Sequence, residues 1–145
     1  MPTAGRSRTP TAEELASAAA FRTELRSFLH ATEAVTVQKG LTPERYDLLL
    51  MIEAASAANQ PATVTSLCEM LHLRQQAVTE LVKRAAEAGM IVRERSDDDK
   101  RVYHLRLTPE AEARLLRAFQ ALRDNRSALA EAFSRLDLRF HVDED

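Results

Sequence analysis

Residues 89–108 restrict the possible fold of this chain more than any other segment. They read Gly-Met-Ile-Val-Arg-Glu-Arg-Ser-Asp-Asp-Asp-Lys-Arg-Val-Tyr-His-Leu-Arg-Leu-Thr, two short β-prone runs separated by a polar turn. In the second run Tyr103, Leu105 and Leu107 alternate with polar residues, which is the period of a half-buried strand. A strongly helical stretch precedes the segment. A helix followed directly by such a hairpin is the outline of a winged helix-turn-helix.

Two consecutive helices are predicted immediately before the hairpin. A short one covers about residues 64–71, and a longer one covers residues 74–88 and ends at Gly89. The longer helix has one apolar stripe at helical spacing, formed by Val78, Leu81, Val82 and Ala85. The face opposite this stripe should therefore meet solvent or a ligand.

This polar face and the hairpin tip are the predicted contacts to double-stranded DNA. Glutamine can pair bidentately with adenine, and a guanidinium at the hairpin tip can reach phosphates or the minor groove. We expect the Asp99 carboxylate to orient the Arg101 guanidinium. The candidates on the helix are Arg74, Gln75, Gln76, Thr79, Lys83 and Arg84, and those on the hairpin are Arg95, Asp99, Lys100 and Arg101. The alternative for each is an ordinary solvated surface.

The overall charge limits a nucleic-acid surface to a local patch. The chain has 20 Lys and Arg against 22 Asp and Glu, a net charge of −2. Residues 74–107 contain eight basic and six acidic side chains, so the remainder is the acidic part. The asymmetry is mild, and charge alone favours DNA only weakly over a solvated face.

The rest of the chain is predicted to be one helical domain over residues 11–139. Residues 1–10 have the composition of a disordered arm, and residues 140–145 form an acidic tail. Long helices are expected at about residues 11–39 and 108–137, with a further helix from Thr42-Pro43 to about residue 59. The predicted fold is mainly α with a small β-hairpin wing: a winged helix-turn-helix over about 61–107, between long terminal helices that form a dimerisation scaffold.

An apolar stripe in the C-terminal helix is the predicted homodimer interface. Its residues recur at 4-3 spacing, which suits the pairing of long helices. Leu15 of the first helix is predicted to belong to the same interface. The stripe could equally pack on the first helix of the same chain, and both can hold at once. Its residues are Leu115, Phe119, Leu122, Leu129, Phe133 and Leu136.

Several segments together resemble the MarR family in order and spacing. They are Gly-Leu-Thr-Pro-Glu-Arg-Tyr-Asp-Leu-Leu (40–49), residues 64–73 and 77–84, Asp-Lys-Arg (99–101) and Leu-Thr-Pro-Glu (107–110). The most specific part is Asp-x-Arg followed at the family's spacing by Leu-Thr-Pro-Glu. The resemblance implies a homodimeric transcriptional regulator, with repression expected ahead of activation, that binds a pseudo-palindromic operator with its wings in the minor groove.

The resemblance also implies a small aromatic or phenolic effector that releases the protein from DNA. It would bind where the first, second and fifth helices meet, and the polar or aromatic residues expected there are His30, Arg45 and Tyr46.

At position 80 many relatives carry a basic or neutral residue, whereas this chain has Glu80. A carboxylate there repels phosphates unless it accepts from a cytosine amino group.

Other functional classes find little support in the sequence. There is no nucleophile elbow, phosphate loop or H-E-x-x-H pattern, so the chain is predicted not to be an enzyme and to need no cofactor or metal. The single cysteine, Cys68, is expected to be a small buried apolar residue, and no apolar run is long enough for a membrane span. A cytoplasmic location is expected. The competing function is a winged helix that binds protein and little or no DNA.

Overall fold

The computed structural model describes residues 8–136, which contain six helices and one two-stranded sheet. The mainly α fold with a hairpin wing is thereby confirmed. The predicted acidic tail and residues 1–7 of the predicted arm lie outside the described residues. The elements are α1 Ala12–Gln38, α2 Pro43–Ala57, α3 Val64–Leu71, α4 Gln75–Glu87, β1 Ile91–Arg95, β2 Tyr103–Leu107, α5 Pro109–Ala121 and α6 Arg123–Arg135.

Threonine side chains start four of these helices. Thr11, Thr42, Thr63 and Thr108 each accept a hydrogen bond from a backbone N–H in the first turn of α1, α2, α3 and α5. At α3 the cap is reciprocal, because the Ser66 N–H donates to the Thr63 hydroxyl at 3.1 Å and the Thr63 N–H donates to the Ser66 hydroxyl at 2.9 Å. The turn between α3 and α4 passes through His72, whose φ of 52° is left-handed.

Contacts in the chain define two compact units, and the larger one is Thr32–Arg123. Its core is built on α2, which contacts α3, α4, α5 and β2. Leu48, Leu49 and Ile52 of α2 are completely buried. From α4, Val78 and Val82 reach the same core, as the stripe in the sequence predicts. The recognition-type helix is therefore held by its apolar face alone.

The hairpin packs against α2, α4 and α5, and one further hydrogen bond ties it to the segment before α3. Strands β1 and β2 pair antiparallel, from Ile91 opposite Leu107 to Arg95 opposite Tyr103. On the other edge of β2, the N–H of buried Leu105 donates to the carbonyl of Ala62 at 2.8 Å. The prediction that Tyr103 faces the core is wrong. Its side chain is 43% exposed, because it lies at the turn end of the hairpin, beyond the core that covers Leu105.

The smaller unit combines the first part of α1, up to Ala31, with the chain from Asp124 onward. The rings of Phe21 and Phe133 stack with centroids 4.8 Å apart, and the Asn125 side chain donates to the Phe28 carbonyl at 3.2 Å. These two pairs run in opposite directions along the chain, so α1 and α6 are antiparallel here. The alternative packing of the C-terminal stripe on the first helix of the same chain therefore holds for Phe133.

The C-terminal segment is two helices, which corrects the prediction of one long helix over 108–137. The break falls at Leu122, which is the C-cap of α5 and is buried at 2% exposure. Asp124 and Asn125 follow it, and such residues favour helix starts over helix interiors. The predicted stripe is divided as a result. Leu115 and Leu122 are buried in the larger unit, Phe119 is exposed, and Leu129 and Leu136 are half-buried.

Removing the cap of α3 should destabilise the protein measurably. Thr63→Ala leaves first-turn N–H groups of the helix without their hydroxyl acceptor, so the free energy of unfolding should fall by about 1 kcal/mol. The matched control is Thr65→Ala, at an exposed position of the same helix, which should change it by less than about 0.5 kcal/mol. Urea denaturation measures both. Equal decreases in the two variants would contradict a capping role for Thr63.

Candidate nucleic-acid interface

The outer face of α4 carries the side chains that the sequence assigns to base reading. Gln75, Gln76, Thr79 and Lys83 are all exposed, while Val78 and Val82 on the opposite face are buried. Arg74 precedes the helix as its N-cap residue, and its side chain makes no capping hydrogen bond. A row of amides, a hydroxyl and cations therefore projects from one helix face, free of competing contacts with the core.

One cation on this face is already paired. The Arg84 Nε donates to the Glu80 carboxylate at 3.0 Å, and both side chains are more than half exposed. Glu80 therefore offsets the charge of Arg84. The sequence analysis did not predict this ion pair. Within residues 8–136, Arg74 and Lys83 have no ion-pair partner. These two are the cations of the face that a polyanion would meet uncompensated.

A buried serine organises the turn between the strands. The Ser96 side chain is 7% exposed, and its hydroxyl accepts from the N–H groups of Asp98 at 3.3 Å and Asp99 at 3.5 Å. Its own N–H donates to the Val102 carbonyl at 2.9 Å. Sequence reasoning missed Ser96 as a positioning residue. The available signal was a serine directly before two aspartates, a pattern typical of side-chain-capped turns.

Asp99 and Arg101 interact at the turn in the way the sequence predicts. The Asp99 Oδ1 accepts from the Arg101 N–H at 3.0 Å and from its Nε at 3.2 Å, and Oδ2 accepts from Nη2 at 3.4 Å. The side chain of Arg101 nevertheless remains 90% exposed. An exposed pair of this kind adds little to folding stability, but it restricts where the guanidinium points.

A second guanidinium is fixed by an aromatic ring. Arg95 Nη2 donates to the Tyr103 hydroxyl at 2.9 Å, and the guanidinium carbon lies 5.5 Å from the centre of the tyrosine ring. Tyr103 was predicted as a core residue, so its contact with Arg95 is a role that the sequence reasoning missed. Across the same hairpin Arg106 Nε donates to Glu94 at 2.9 Å. Lys100 is exposed at the tip and has no ion pair within residues 8–136.

The three residues predicted for an effector pocket differ in burial and do not all belong to the same unit. His30 is an exposed residue of the smaller unit. In the larger unit Tyr46 is buried in the core and Arg45 is half-buried. A pocket formed by these three residues stays a prediction. Cys68 is half-buried against the core, close to its predicted role as a small apolar residue.

Residues 8–136 contain neither a metal-binding cluster nor a membrane-spanning helix. Nowhere in this range do three His, Cys, Asp or Glu side chains come together as metal ligands. None of its helices combines the length and apolar character that crossing a bilayer requires.

The pKa of the Asp99 carboxyl is lowered, first by the side-chain hydrogen bonds from Arg101 and second by the Arg101 backbone N–H. In a carbon-13 NMR titration we expect its midpoint below the ordinary aspartate value. The charge-assisted pair should then persist as the pH falls and be lost only when it passes the lowered pKa. Arg101→Ala should raise the midpoint toward the ordinary value.

Lys100→Ala is the matched control for this titration, since it removes the same charge one residue away without touching the hydrogen bonds. It should leave the Asp99 midpoint low. An equal rise in both variants would mean that the local positive field, and not the Arg101 hydrogen bonds, lowers the pKa.

Comparison with known proteins shows what this chain is similar to. Residues 39–102, from the end of α1 to the wing turn, match the model of the MarR family. A putative transcriptional regulatory protein for the hcr operon of Thauera aromatica is 29% identical over 102 residues, 70% of this chain. The chain matches only 58% of the length of that relative.

Solved structures agree with the sequence match. The transcriptional repressor CouR, solved with a 23-mer DNA duplex, is 26% identical with a TM-score of 0.63, covering 88% of this chain and 97% of that one. AbsC, a MarR family transcriptional regulator from Streptomyces coelicolor, shares the fold, with a TM-score of 0.70 at 16% identity over 88% of this chain and 83% of its own. These relatives are regulators, in agreement with the prediction that the chain is not an enzyme. In its helix-turn-helix, hairpin wing and motifs, the chain is similar to the MarR family of winged helix-turn-helix transcriptional regulators.

Proposed function

We propose that this protein binds a pseudo-palindromic DNA operator as a homodimer and represses transcription from it. In this proposal α4 enters the major groove and the β1–β2 turn contacts the neighbouring backbone or minor groove. A small aromatic effector would release the complex. The competing proposal is a winged helix that binds another protein.

The observation that carries the proposal is the division of polar groups between α4 and the wing. The helix face offers hydrogen-bonding side chains without fixed charge, Gln75, Gln76 and Thr79, which are suited to base edges. The wing instead offers two guanidiniums, Arg95 and Arg101, each restrained by a neighbour within the hairpin. Preorganised cations lose less side-chain entropy on meeting phosphates. This combination suits a duplex better than it suits an acidic protein surface.

A relative supports the same partner. CouR shares 26% of its aligned residues with this chain and was solved on a DNA duplex as a transcriptional repressor. Since the likeness covers 97% of that protein, double-stranded DNA is the partner that we propose for this chain.

The exposed face of α1 supports the homodimer. Leu15 is 60% exposed and Leu29 is 55% exposed, and Leu25 lies between them on the same side of the helix. Large apolar side chains in such a row are typical of surfaces that another molecule covers. On α5, Leu116 and Phe119 are also exposed. A second copy of the chain would remove these surfaces from water.

Substitutions in α4 and in the wing should change DNA binding in different ways. Gln76→Ala should relax preference at one base position in each half-site, costing about 1 to 3 kcal/mol for the preferred sequence. Arg101→Ala should weaken binding to all sequences and reduce the slope of log affinity against log salt by about 0.9 for each phosphate that the variant no longer neutralises. Fluorescence anisotropy with operators selected from a random duplex pool measures both.

The matched control for the wing variant is Arg117→Ala, which removes the same charge from an exposed position on α5. Its salt slope should equal that of the wild type. If Arg101→Ala also binds the operator with the wild-type affinity and slope, the wing does not contact DNA, and the protein-binding function becomes the better proposal.

A charge on the exposed face of α1 should prevent dimerisation. Leu29→Glu should give a monomer by light scattering at micromolar concentration, because association would bury a carboxylate without a partner. Ser27→Glu places the same charge on the opposite, exposed side of the helix and should leave the dimer intact. In the dimer we expect recognition helices roughly 34 to 36 Å apart, one turn of the duplex. A wild-type protein that is monomeric both free and with operator would exclude this arrangement.

A further inference from the structure

A cavity of about 530 Å³ opens between the end of α2, one side of α3 and strand β2. It lies entirely within the larger unit, and neither α4 nor the wing turn lines it. Its origin can be read from the sequence of α2. The middle of this helix fills the core with Leu48, Leu49 and Ile52, whereas its end and the C-cap present only methyl groups from Ala54, Ala55 and Ala58. Side chains this small leave the space beside α3 and β2 unfilled.

The lining is apolar with a few polar groups and without any Lys, Arg, Asp or Glu side chain. Pro61 and the thioether of Met70 extend the surface that the alanines begin. Gln60 and His104 supply an amide and an imidazole, and neither side chain has a hydrogen-bond partner among residues 8–136. The third polar lining residue, Ser66, is already engaged, since its hydroxyl accepts from the Thr63 N–H and donates to the Thr63 carbonyl. Hydrogen bonding to an occupant therefore falls to Gln60 and His104.

The cavity also lies across the connection between the helices and the wing. Gln60 and Pro61 directly precede Ala62, and His104 directly precedes Leu105. The Leu105 N–H and the Ala62 carbonyl form the hydrogen bond of 2.8 Å that attaches β2 to the segment before α3. A molecule that touches both walls therefore bridges the same two segments as this bond.

We propose that this cavity binds an uncharged, flat and largely apolar small molecule with one hydrogen-bonding group, and that binding tightens the attachment of β2 to the start of α3. The volume is in the range of small-molecule sites, and a sulfur and a proline ring are good neighbours for an aromatic face. A charged ligand is disfavoured, because it would lose hydration without finding an opposite charge in the lining. The site is separate from the DNA-reading surface and from the residues predicted for the effector pocket.

Methionine methyl NMR tests the site without DNA, so its outcome is independent of the proposed function. The probe is indole-3-carboxamide, titrated into protein labelled with carbon-13 at the methionine methyls. The Met70 signal should shift and saturate, whereas Met51 and Met90, which do not line the cavity, should stay in place. Equal shifts at all three methyls, or no saturable shift of Met70 up to the solubility limit of the probe, would overturn the proposal.

Two matched variants locate the site. Ala54→Phe fills the cavity from an exposed position of α2 and should abolish the saturable Met70 shift. Ala57→Phe adds the same ring at an exposed position of α2 outside the lining and should retain it. Gln60→Ala, an exposed loop change that leaves the helix intact, should weaken the probe's affinity. Retention of wild-type affinity in both Ala54→Phe and Gln60→Ala would overturn the assignment.

Amide hydrogen exchange tests whether binding in the cavity tightens the attachment of β2 to the start of α3. With the cavity saturated, exchange of the Leu105 amide should slow relative to the amides of β1, because opening its bond to Ala62 would also separate the cavity walls. The Ala54→Phe variant treated with the probe should show no such slowing. An unchanged Leu105 amide in the saturated wild-type protein would remove the coupling from the proposal.

Discussion

The burial of one face of α2 is the interaction on which the larger unit depends. Leu48, Leu49 and Ile52 are completely excluded from water, and α2 contacts α3, α4, α5 and β2. Burial of each such side chain contributes about 1.5 to 3 kcal/mol to the free energy of folding. Since α4 holds on to this core only through its apolar stripe, its entire opposite face remains free for recognition. The exposed polar face that we propose to read DNA thus exists because the core lies on one side of the helix alone.

The wing obeys a different constraint, since its tip is beyond the reach of the core. It is ordered by polar contacts within the hairpin: the Ser96 hydroxyl holds the turn, Asp99 holds Arg101, and Tyr103 holds Arg95. Exposed contacts of this kind add little to stability, but they restrict the rotamers of long side chains. The hairpin is anchored to the helices by the bond between Leu105 and Ala62. A wing of this construction presents its cations in a limited set of directions.

The sequence by itself determined the order and type of nearly every element. Thr42-Pro43, Thr63 and Thr108-Pro109 mark helix starts because hydroxyl caps and proline act within a few residues of chain. The stripe of Val78, Val82 and Ala85 defined both the buried and the exposed face of α4, since a helix of known period has its sides fixed by its sequence. The local pairing of Asp99 with Arg101 was equally predictable, because the two residues are close neighbours in the chain. The spacing of short motifs along the chain likewise indicated the resemblance to the MarR family.

Only the tertiary structure decided which surfaces are used inside the chain. The stripe from Leu115 to Leu136 is continuous in sequence, yet a break at Leu122 sends Leu115 to the core of the larger unit and Phe133 to Phe21 of the smaller one. The exposure of Tyr103 depends on how far the core extends under the hairpin, and the cavity beside Met70 depends on what faces the alanines of α2. Periodicity defines the side of an element on which a residue lies. It does not define what occupies the space opposite, because that space is enclosed by residues distant in sequence.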